Sequence, residues 1–228
     1  MQKLSVIVPA LDEGERIAAT LDALANLRAL GVEVIVVDGG SRDATVQRAR
    51  LRADRVIPAP RGRASQMNAG AEKATGDVLL FLHADTRLPS DADHVVLNAL
   101  ERSGRAWGRF DVKIEGRHPL LVVVGALMNL RSRLTGIATG DQAIFVKRDT
   151  FQAVGGFPAI ELMEDIALCK RLKRVGRPHC LRQRVVTSGR RWEEGGVIRT
   201  MVLMWRLRLA YFFGADPAEL ARQYGYDR

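Results

Sequence analysis

Short apolar runs alternate with helical patterns along the first half of the chain. Unbroken apolar runs predict buried strands, and apolar residues that recur every three or four positions predict helices. The predicted strands cover residues 4–10, 32–37, 55–57 and 78–82, and the predicted helices cover residues 17–30, 43–53 and 66–74. A chain that alternates strand and helix in this way favours an α/β fold with a mostly parallel sheet and right-handed crossovers.

The remainder of the chain has a less regular pattern. It predicts helices at residues 90–103, 120–130, 164–175 and 197–213, and short strands at residues 110–115 and 143–146. The apolar stretch 120–130 is too short to span a membrane and fits a core or interfacial helix. The last helix places arginines among large apolar residues, which suits either a core helix or one at a membrane surface. We expect one domain over residues 1–228, with halves at 1–88 and 89–192 and a helical tail at 193–228.

Composition and charge narrow the class of protein. Hydrophobic residues make up 47% and charged residues 27% of the 228 residues, which is typical of a globular chain. The net charge of +9 and the pI of about 10.2 favour anionic partners such as nucleotide phosphates, nucleic acid or an anionic membrane. Cys169 and Cys180 lack metal-ligand spacing and are expected to be reduced thiols of a cytoplasmic protein.

Polar residues follow the predicted strands at the points where the strands end. Glu13 and Asp38 follow the first and second strands, and His83 and Asp85 follow the fourth. The carboxyl ends of parallel strands share one edge of the sheet, which is where open α/β sheets bind ligands. A carboxylate there can hold Mg²⁺ or Mn²⁺, and the ion can in turn hold phosphate. The alternative interpretation is that Asp85 caps the following turn and His83 packs at the strand end.

Two common phosphate-binding motifs are absent from the chain. Neither G-x-G-x-x-G nor G-x-x-x-x-G-K follows the first strand, which disfavours dinucleotide-binding and P-loop proteins. Arg61 and Arg63, which follow the third strand, are suited to bind phosphate, and Asp38 is suited to bind a ribose or a base. The pattern therefore favours a nucleotide site in which a metal ion, and not a glycine-rich loop, holds a diphosphate.

Two further groups of polar residues have both a structural and a functional interpretation. Glu164 and Asp165 begin a predicted helix, where acids commonly complement the helix dipole. One of them can alternatively act as a general base. Arg190, Arg191 and Trp192 form either a solvated basic turn or a diphosphate clamp beside an aromatic platform for a sugar. The pattern alone leaves both alternatives open.

Four motifs, in this order and at this spacing, resemble family 2 glycosyltransferases of the GT-A fold. They are VIVPALDE at residues 6–13, VVDGGSRD at 36–43, LFLHAD at 80–85, and GGF at 155–157 followed by Glu164 and Asp165. The resemblance covers about residues 4–192 and extends to small bacterial glycosyltransferases associated with arsenosugar-type biosynthesis. It implies a Rossmann-like, mostly parallel sheet flanked by helices, with a nucleotide-binding half fused to an acceptor-binding half.

The resemblance also implies a reaction and roles for particular residues. The reaction is transfer of a sugar from a UDP- or GDP-linked donor to an acceptor hydroxyl, usually with inversion and with Mg²⁺ or Mn²⁺. The positions that match nucleotide-binding residues are Pro9, Ala10, Glu13, Asp38, Arg63, His83 and Ala84. Asp85 matches the last acid of the metal-binding D-x-D motif, and His83, which replaces its first acid, is a second candidate ligand. Asp165 matches the catalytic base, and Glu164, Arg191 and Trp192 match the diphosphate and acceptor side.

The expected partners are a nucleotide-diphosphate sugar and a small-molecule or lipid-like acceptor. Nucleic acid is not expected, because Lys and Arg are dispersed and aromatic residues make up only 6% of the chain. Contact with the inner face of the membrane is expected to be peripheral at most. The alternatives are a nucleotidyltransferase and a basic protein that binds nucleic acid or a membrane surface. A nucleotidyltransferase would carry a glycine-rich, lysine-bearing loop after the first strand, whereas residues 12–15 are mainly acidic.

Overall fold

An eight-stranded sheet lies at the centre of the computed structural model, which describes residues 2–225. The strands are β1 (Leu4–Ala10), β2 (Glu33–Asp38), β3 (Arg55–Pro58), β4 (Val78–Phe81), β5 (Thr86–Arg87), β6 (Trp107–Glu115), β7 (Phe145–Lys147) and β8 (His179–Ser188). The helices are α1 (Ile17–Asp22), α2 (Ala25–Ala29), α3 (Thr45–Arg50), α4 (Arg63–Lys73), α5 (Ala92–Ser103), α6 (Leu120–Thr135), α7 (Arg148–Ala153), α8 (Glu164–Val175), α9 (Arg190–Glu194), α10 (Val197–Phe212) and α11 (Pro217–Tyr224). A 3-10 turn covers Gly140–Gln142.

The first half of the sheet has the predicted parallel arrangement. Strands β3, β2, β1 and β4 lie side by side in this order, and each pairing is parallel. Every residue of β1 and β4 is buried, as expected for central strands covered on both faces. Alternate side chains enter different cores: Val6 and Val8 pack with α1 and α5, whereas Ile7 packs with α4 and α8. The prediction for this half is therefore confirmed.

The second half of the sheet is mixed. Strand β7 is antiparallel to β4 and to β6, β6 is parallel to β8, and β8 is antiparallel to β5. Four of the seven pairings are parallel, so the sheet as a whole is mostly parallel. The apolar pattern missed β8, because residues 182–184 in its middle are polar and exposed. It also missed β5, α7, α9 and α11, and residues 190–192, considered as a basic turn, belong to the short helix α9.

The interior of the second half contains a buried ionic cluster. The carboxylate of Asp111 forms ion pairs with two arginines. Arg109 has no exposed side-chain area, and Arg133 Nη2 donates to Asp111 Oδ2 at 2.5 Å. The carboxylate is therefore turned inward, although Asp111 alternates along the strand with the apolar residues Phe110 and Val112. A register shift between Arg109 and Asp111 accompanies this change of direction.

Helices α6 and α10 each pack on the protein through one face. The residues that α6 buries include Leu121, Val124 and Met128, and those that α10 buries are Val197, Thr200 and Leu207. Large apolar side chains on both helices remain exposed. Each helix thus combines the core face and the exposed apolar face that the sequence offered as alternatives. None of the helices in residues 2–225 has the length and apolar character that crossing a membrane requires.

Candidate active site

A cleft of about 1420 Å³ joins the two halves of the chain. It lies at the carboxyl ends of β1 and β4 and reaches the N-terminus of α8 and helices α6, α9, α10 and α11. The predicted site residues that line it are Pro9, Glu13, Arg63, His83, Ala84, Asp85, Glu164, Asp165, Arg191 and Trp192. Ala10 and Asp38 are not part of its lining. The structure therefore brings together most of the residues that the sequence motifs place far apart.

Ala10 contributes a backbone carbonyl to the edge of the sheet. Its oxygen accepts hydrogen bonds from Gly39 N–H at 2.9 Å and from Gln66 Nε2 at 2.8 Å. The same Gln66 amide donates to the carbonyl of Val37 at 2.8 Å. One buried side chain of α4 therefore ties the ends of β1 and β2 together. The sequence analysis missed Gln66, because a lone glutamine in a helix gives no signal of this role.

Asp38 stabilises the loop that follows β2. Its carboxylate accepts hydrogen bonds from the N–H groups of Gly40 and Ser41 at 3.0 and 3.1 Å. Gly40 has φ of 93°, a conformation that glycine adopts without strain. This turn orients the loop beside the cleft, and contact of Asp38 or Ala10 with a nucleoside stays a prediction.

Glu13 and Asp85 are close enough for their charges to interact. Burial raises the pKa of Glu13 above its ordinary 4.5, and the charge of Asp85 raises it further, although Arg16 opposes both. Two carboxylates that repel each other provide oxygen ligands and negative charge for a cation. Within residues 2–225, no three His, Cys, Asp or Glu side chains are grouped so that they could hold a metal ion. An ion at Asp85 would therefore need further oxygen ligands from water or phosphate.

His83 connects β4 to the 3-10 turn of the second half. Its Nδ1 lies 3.2 Å from Oδ1 of Asp141. The other side of the ring packs against Gly140 so closely that a Cβ at that position would lie 2.3 Å from Nε2. Burial opposes ionisation of Asp141, but His83, Arg63 and Arg191 outweigh it and lower the pKa of that carboxyl. Both ring nitrogens therefore have contacts within the protein, and coordination of a metal by His83 stays a prediction.

Two backbone N–H groups hold the carboxylate of Asp165 at the start of α8. Gly140 N–H donates to Oδ2 at 2.9 Å, and Ile166 N–H donates to Oδ1 at 2.6 Å. Burial raises the pKa of Asp165 above its ordinary 3.8 and outweighs these hydrogen bonds, which lower it. A fixed carboxylate with a raised pKa accepts a proton more readily than an ordinary aspartate. The geometry therefore suits Asp165 to act as a base.

Glu164 has a different environment from its neighbour. Its side chain is buried, with 5% of the residue exposed, whereas Asp165 is only partly buried. Burial and, next, the charge of Asp165 raise the pKa of Glu164 to about 7. The negative charges of the pair therefore oppose each other, and Asp165 is the more accessible of the two to a substrate.

The arginines of the two halves converge on the same part of the cleft. Arg63 acts electrostatically on both Asp141 and Glu164, and Arg191 acts on Asp141. The guanidinium of Arg191 lies 3.7 Å from the centre of the Tyr224 ring, and its Nη2 donates to the carbonyl of Tyr224 at 2.9 Å. Helix α11 thus positions an arginine that was predicted to contact a diphosphate. Trp192 lines the cleft and also packs against the large apolar core.

Arg131 adds a positive charge that the sequence analysis missed. Its Nε and Nη2 are buried and have no hydrogen-bond partner among the described residues. Burial lowers the pKa of Arg131, and the charges of Asp165 and Asp141 oppose that effect. Both Arg131 and Asp141 line the cleft. Their only sequence signals were a basic residue at the end of an apolar helix and a Thr-Gly-Asp-Gln turn, so their roles depend on tertiary contacts.

Comparison with known proteins identifies the family of the chain and several relatives. Residues 5–148 match the family described as "Glycosyl transferase family 2". A "PGL/p-HBAD biosynthesis glycosyltransferase" of Mycobacterium bovis (strain BCG / Pasteur 1173P2) is 37% identical over an alignment of 91 positions that covers 37% of this chain and 36% of that protein. The protein of the same description in Mycobacterium tuberculosis (strain ATCC 25177 / H37Ra) matches equally. The alignment thus spans about a third of these relatives.

Solved structures resemble the chain over a greater length. S. aureus TarS 1-349 in complex with UDP-GlcNAc has a TM-score of 0.66 at 19% identity, covering 82% of this chain and 58% of that chain. The mannosyltransferase PcManGT from Pyrobaculum calidifontis, in complex with GDP-Man and Mn2+, has a TM-score of 0.65 at 22% identity, covering 99% and 69%. These similarities confirm the GT-A fold that the sequence motifs implied.

The family match includes three of the four motifs, and residues of the first and third motifs line one cleft together with Glu164 and Asp165 of the fourth. The chain belongs to glycosyl transferase family 2.

Proposed function

We propose that this protein transfers a sugar from a nucleotide-diphosphate donor to an acceptor hydroxyl, with inversion at the anomeric carbon. The observation that carries the proposal is the junction between the halves. Asp85 and His83 follow β4, His83 contacts Asp141, and the adjacent Gly140 holds Asp165. Carboxylates suited to a cation and arginines suited to a diphosphate therefore lie in the same cleft as Asp165, the proposed base.

The donor would bind in the part of the cleft formed by the first half. Pro9, Ala10, Glu13, Asp38 and Ala84 are the proposed nucleoside-side residues, and Arg63 and Arg191 are the proposed diphosphate-side residues. A UDP- or GDP-linked sugar is the proposed donor, because the solved structures of similar fold contain UDP-GlcNAc or GDP-Man. The acceptor would be a small molecule or a lipid-like molecule. Membership of the arsenosugar-type subgroup stays a prediction.

A divalent cation shared with the donor is part of the proposal, with the donor's phosphates and water supplying the oxygen ligands that Asp85 alone cannot. Asp85 would hold it, with Glu13 nearby and His83 as the less suited candidate, since Mg²⁺ and Mn²⁺ prefer oxygen ligands. PcManGT and a glucosyl-3-phosphoglycerate synthase from Mycobacterium tuberculosis are described with Mn2+, which supports this choice. When bound, such an ion neutralises negative charge on the departing diphosphate.

The protein's own side chains would carry the remaining chemistry. Asp165 accepts the proton of the acceptor hydroxyl at its carboxylate while the acceptor oxygen forms a bond to the anomeric carbon. The bond from that carbon to the diphosphate oxygen breaks, and the electron pair leaves with the nucleoside diphosphate. Arg63 and Arg191 stabilise the charge that develops there. Gly140 and Ile166 keep the base in position through their N–H groups.

Calorimetric titration with UDP and GDP, with and without Mn²⁺, tests the donor site. The wild-type protein should bind one of them in a Mn²⁺-dependent manner, and Asp85→Ala should weaken that binding about 10- to 100-fold. His83→Ala should weaken it less. Asp91→Ala is the matched control, because Asp91 caps α5 without a side-chain hydrogen bond and does not line the cleft. Unchanged Mn²⁺ dependence in Asp85→Ala would contradict the assignment, and release of pyrophosphate during turnover would indicate nucleotidyl transfer instead.

A further inference from the structure

Exposed apolar side chains are concentrated on two helices of the protein. In residues 2–225, eleven of the fourteen exposed large apolar residues belong to α6, to α10 or to the residue that ends α10. Those of α6 are Val122, Val123, Leu127, Leu130 and Leu134, and those of α10 and its end are Ile198, Val202, Trp205, Leu209, Phe212 and Phe213. We call these eleven residues the α6–α10 face. Exposed apolar residues concentrated in this way indicate an interaction surface, because soluble monomers seldom expose large contiguous apolar patches.

The exposed residues form a stripe on each helix. Successive residues of an α-helix are about 100° apart, so the six on α10 fall within an arc of about 100° and the five on α6 within about 140°. The residues that each helix buries lie on its opposite side. Each helix therefore has two apolar faces. One packs in the core, as in an ordinary amphipathic helix, and the other is exposed at the surface.

The charge of these helices suits an anionic surface. Neither α6 nor α10 contains an aspartate or a glutamate, whereas together they contain five arginines. Arg199 and Arg206 are exposed and lie along one border of the α10 stripe, and Arg208 lies along the other. Basic residues beside a stripe of tryptophan, phenylalanine and leucine are typical of helices that lie in a membrane interface. The net charge of +9 adds to the attraction.

The α6–α10 face is continuous with the cleft. Leu127, Leu130 and Leu134 of α6 and Trp205 of α10 are exposed and also line the cleft. A surface that covers this face would therefore meet the acceptor side of the cleft. Trp205, which is 58% exposed, has the amphipathic ring that is enriched at the level of lipid headgroups.

We infer that the α6–α10 face docks on an anionic lipid bilayer, with its apolar stripes in the interface and its border arginines at the headgroups. A second copy of the chain is the other occupant that an apolar face could have. The absence of acidic residues from both helices favours the membrane, because two copies would bring their arginines together without opposite charges. Docking would open the cleft towards molecules held in the bilayer, a consequence that rests on the proposed function.

Co-sedimentation with vesicles tests the inference. Wild-type protein should bind vesicles of phosphatidylglycerol and phosphatidylcholine and bind phosphatidylcholine alone at least about ten-fold more weakly, since each basic residue near an anionic surface adds attraction. The double variant Val202→Glu/Phe212→Glu should lose at least about ten-fold of the partition coefficient on anionic vesicles. Leu30→Glu/Leu51→Glu is the matched control, because these residues are as exposed and lie outside the face. It adds the same charge and should bind nearly as wild type does.

Three results would overturn the inference. They are failure of the wild-type protein to bind anionic vesicles, an equal loss of binding in the control variant, and equal binding to neutral vesicles. Sedimentation velocity tests whether a second copy of the chain covers the face. If the wild-type protein forms a dimer and does not bind vesicles, and if Val202→Glu/Phe212→Glu dissociates that dimer, the face is a dimer interface. Thermal unfolding of each variant shows that the substitutions leave the fold intact. Vesicle binding needs neither donor nor acceptor, so its failure is distinct from failure of the proposed reaction.

Discussion

The halves formed by β1 to β4 and by β5 to β8 both bury apolar side chains, but they differ in the polar groups that they bury. The first half is stabilised by apolar strands that are covered on both faces, such as β1 and β4. The second half buries the Arg109–Asp111–Arg133 cluster and the amide of Gln142, which donates to Ser132 at 3.0 Å. Apolar burial is stabilising without a required direction, whereas a buried polar network requires each partner in place.

The same contrast extends to the backbone around the cleft. Within residues 2–225, the residues other than glycine with positive φ are Asp12, Ala143 and Met163. Two of them belong to the second half, and Met163 directly precedes Glu164 and Asp165. Such conformations are costly and persist where surrounding contacts impose them. The first half therefore offers a regular platform for the proposed donor, whereas the second half uses polar contacts and strained backbone to fix Asp165, the proposed base.

Replacing the base should have the largest effect and should separate the functions of the two halves. Asp165→Asn keeps the size of the side chain and removes its proton affinity, so kcat should fall roughly 10²- to 10⁴-fold with little change in donor affinity. Nucleotide-diphosphate release in the presence of acceptor measures kcat. Asp149→Asn, which also lies in the first turn of a helix but outside the cleft, should have wild-type activity. Normal turnover by Asp165→Asn would show that Asp165 is not the base and only complements the helix dipole.

Breaking the buried ionic cluster tests whether the second half depends on its polar network. Asp111→Ala leaves the fully buried charge of Arg109 without its partner, so the free energy of unfolding should fall by about 3–5 kcal/mol. Asp22→Ala removes a surface ion pair with Arg52 in the first half and should cost at most about 1 kcal/mol. Urea denaturation of both variants gives the two values. Equal losses would show that the halves do not differ in this respect.

Glu164 should make the stability of the protein depend on pH. Its pKa is raised to about 7 by burial and by Asp165, so the folded state binds a proton that the unfolded state has released above pH 4.5. Stability should therefore fall as the pH rises from 4.5 to 7, by roughly 3 kcal/mol in total. Glu164→Gln should flatten this slope, which urea denaturation at pH 5 and pH 8 measures. A slope identical to that of the wild type would contradict the assignment.

The smallest expected effect concerns the contact between the halves. A Cβ on Gly140 would lie 2.3 Å from Nε2 of His83, so Gly140→Ala should displace the N–H that holds Asp165. We expect kcat to fall about ten-fold. Adding His83→Ala to this variant should recover part of the loss by removing the clash. Gly176→Ala is the control, since no atom lies within 4 Å of the added methyl group. Full activity of Gly140→Ala would show that the contact is not needed.

The difference between the two halves also explains which elements and site residues could be predicted from the sequence. Strands β1, β2 and β4 were predictable because their apolar runs record burial directly, and α8 was predicted with the bounds that the structure shows. Strand β8 was not predictable, because its polar residues form a strand only through pairing with β6. Asp141 and Arg131 were missed for a similar reason: their partners His83 and Asp165 are far away in sequence.

The central claim is that the cleft combines a donor site from the first half with a base from the second. The most direct measurement compares wild type, Asp85→Ala and Asp165→Asn for Mn²⁺-dependent binding of UDP or GDP by calorimetry and for nucleotide-diphosphate release from the sugar donor. Asp85→Ala should weaken Mn²⁺-dependent binding and slow release with it, whereas Asp165→Asn should keep the wild-type affinity and slow release alone. Equal loss of nucleotide binding in both variants, or unchanged release in Asp165→Asn, would contradict the account.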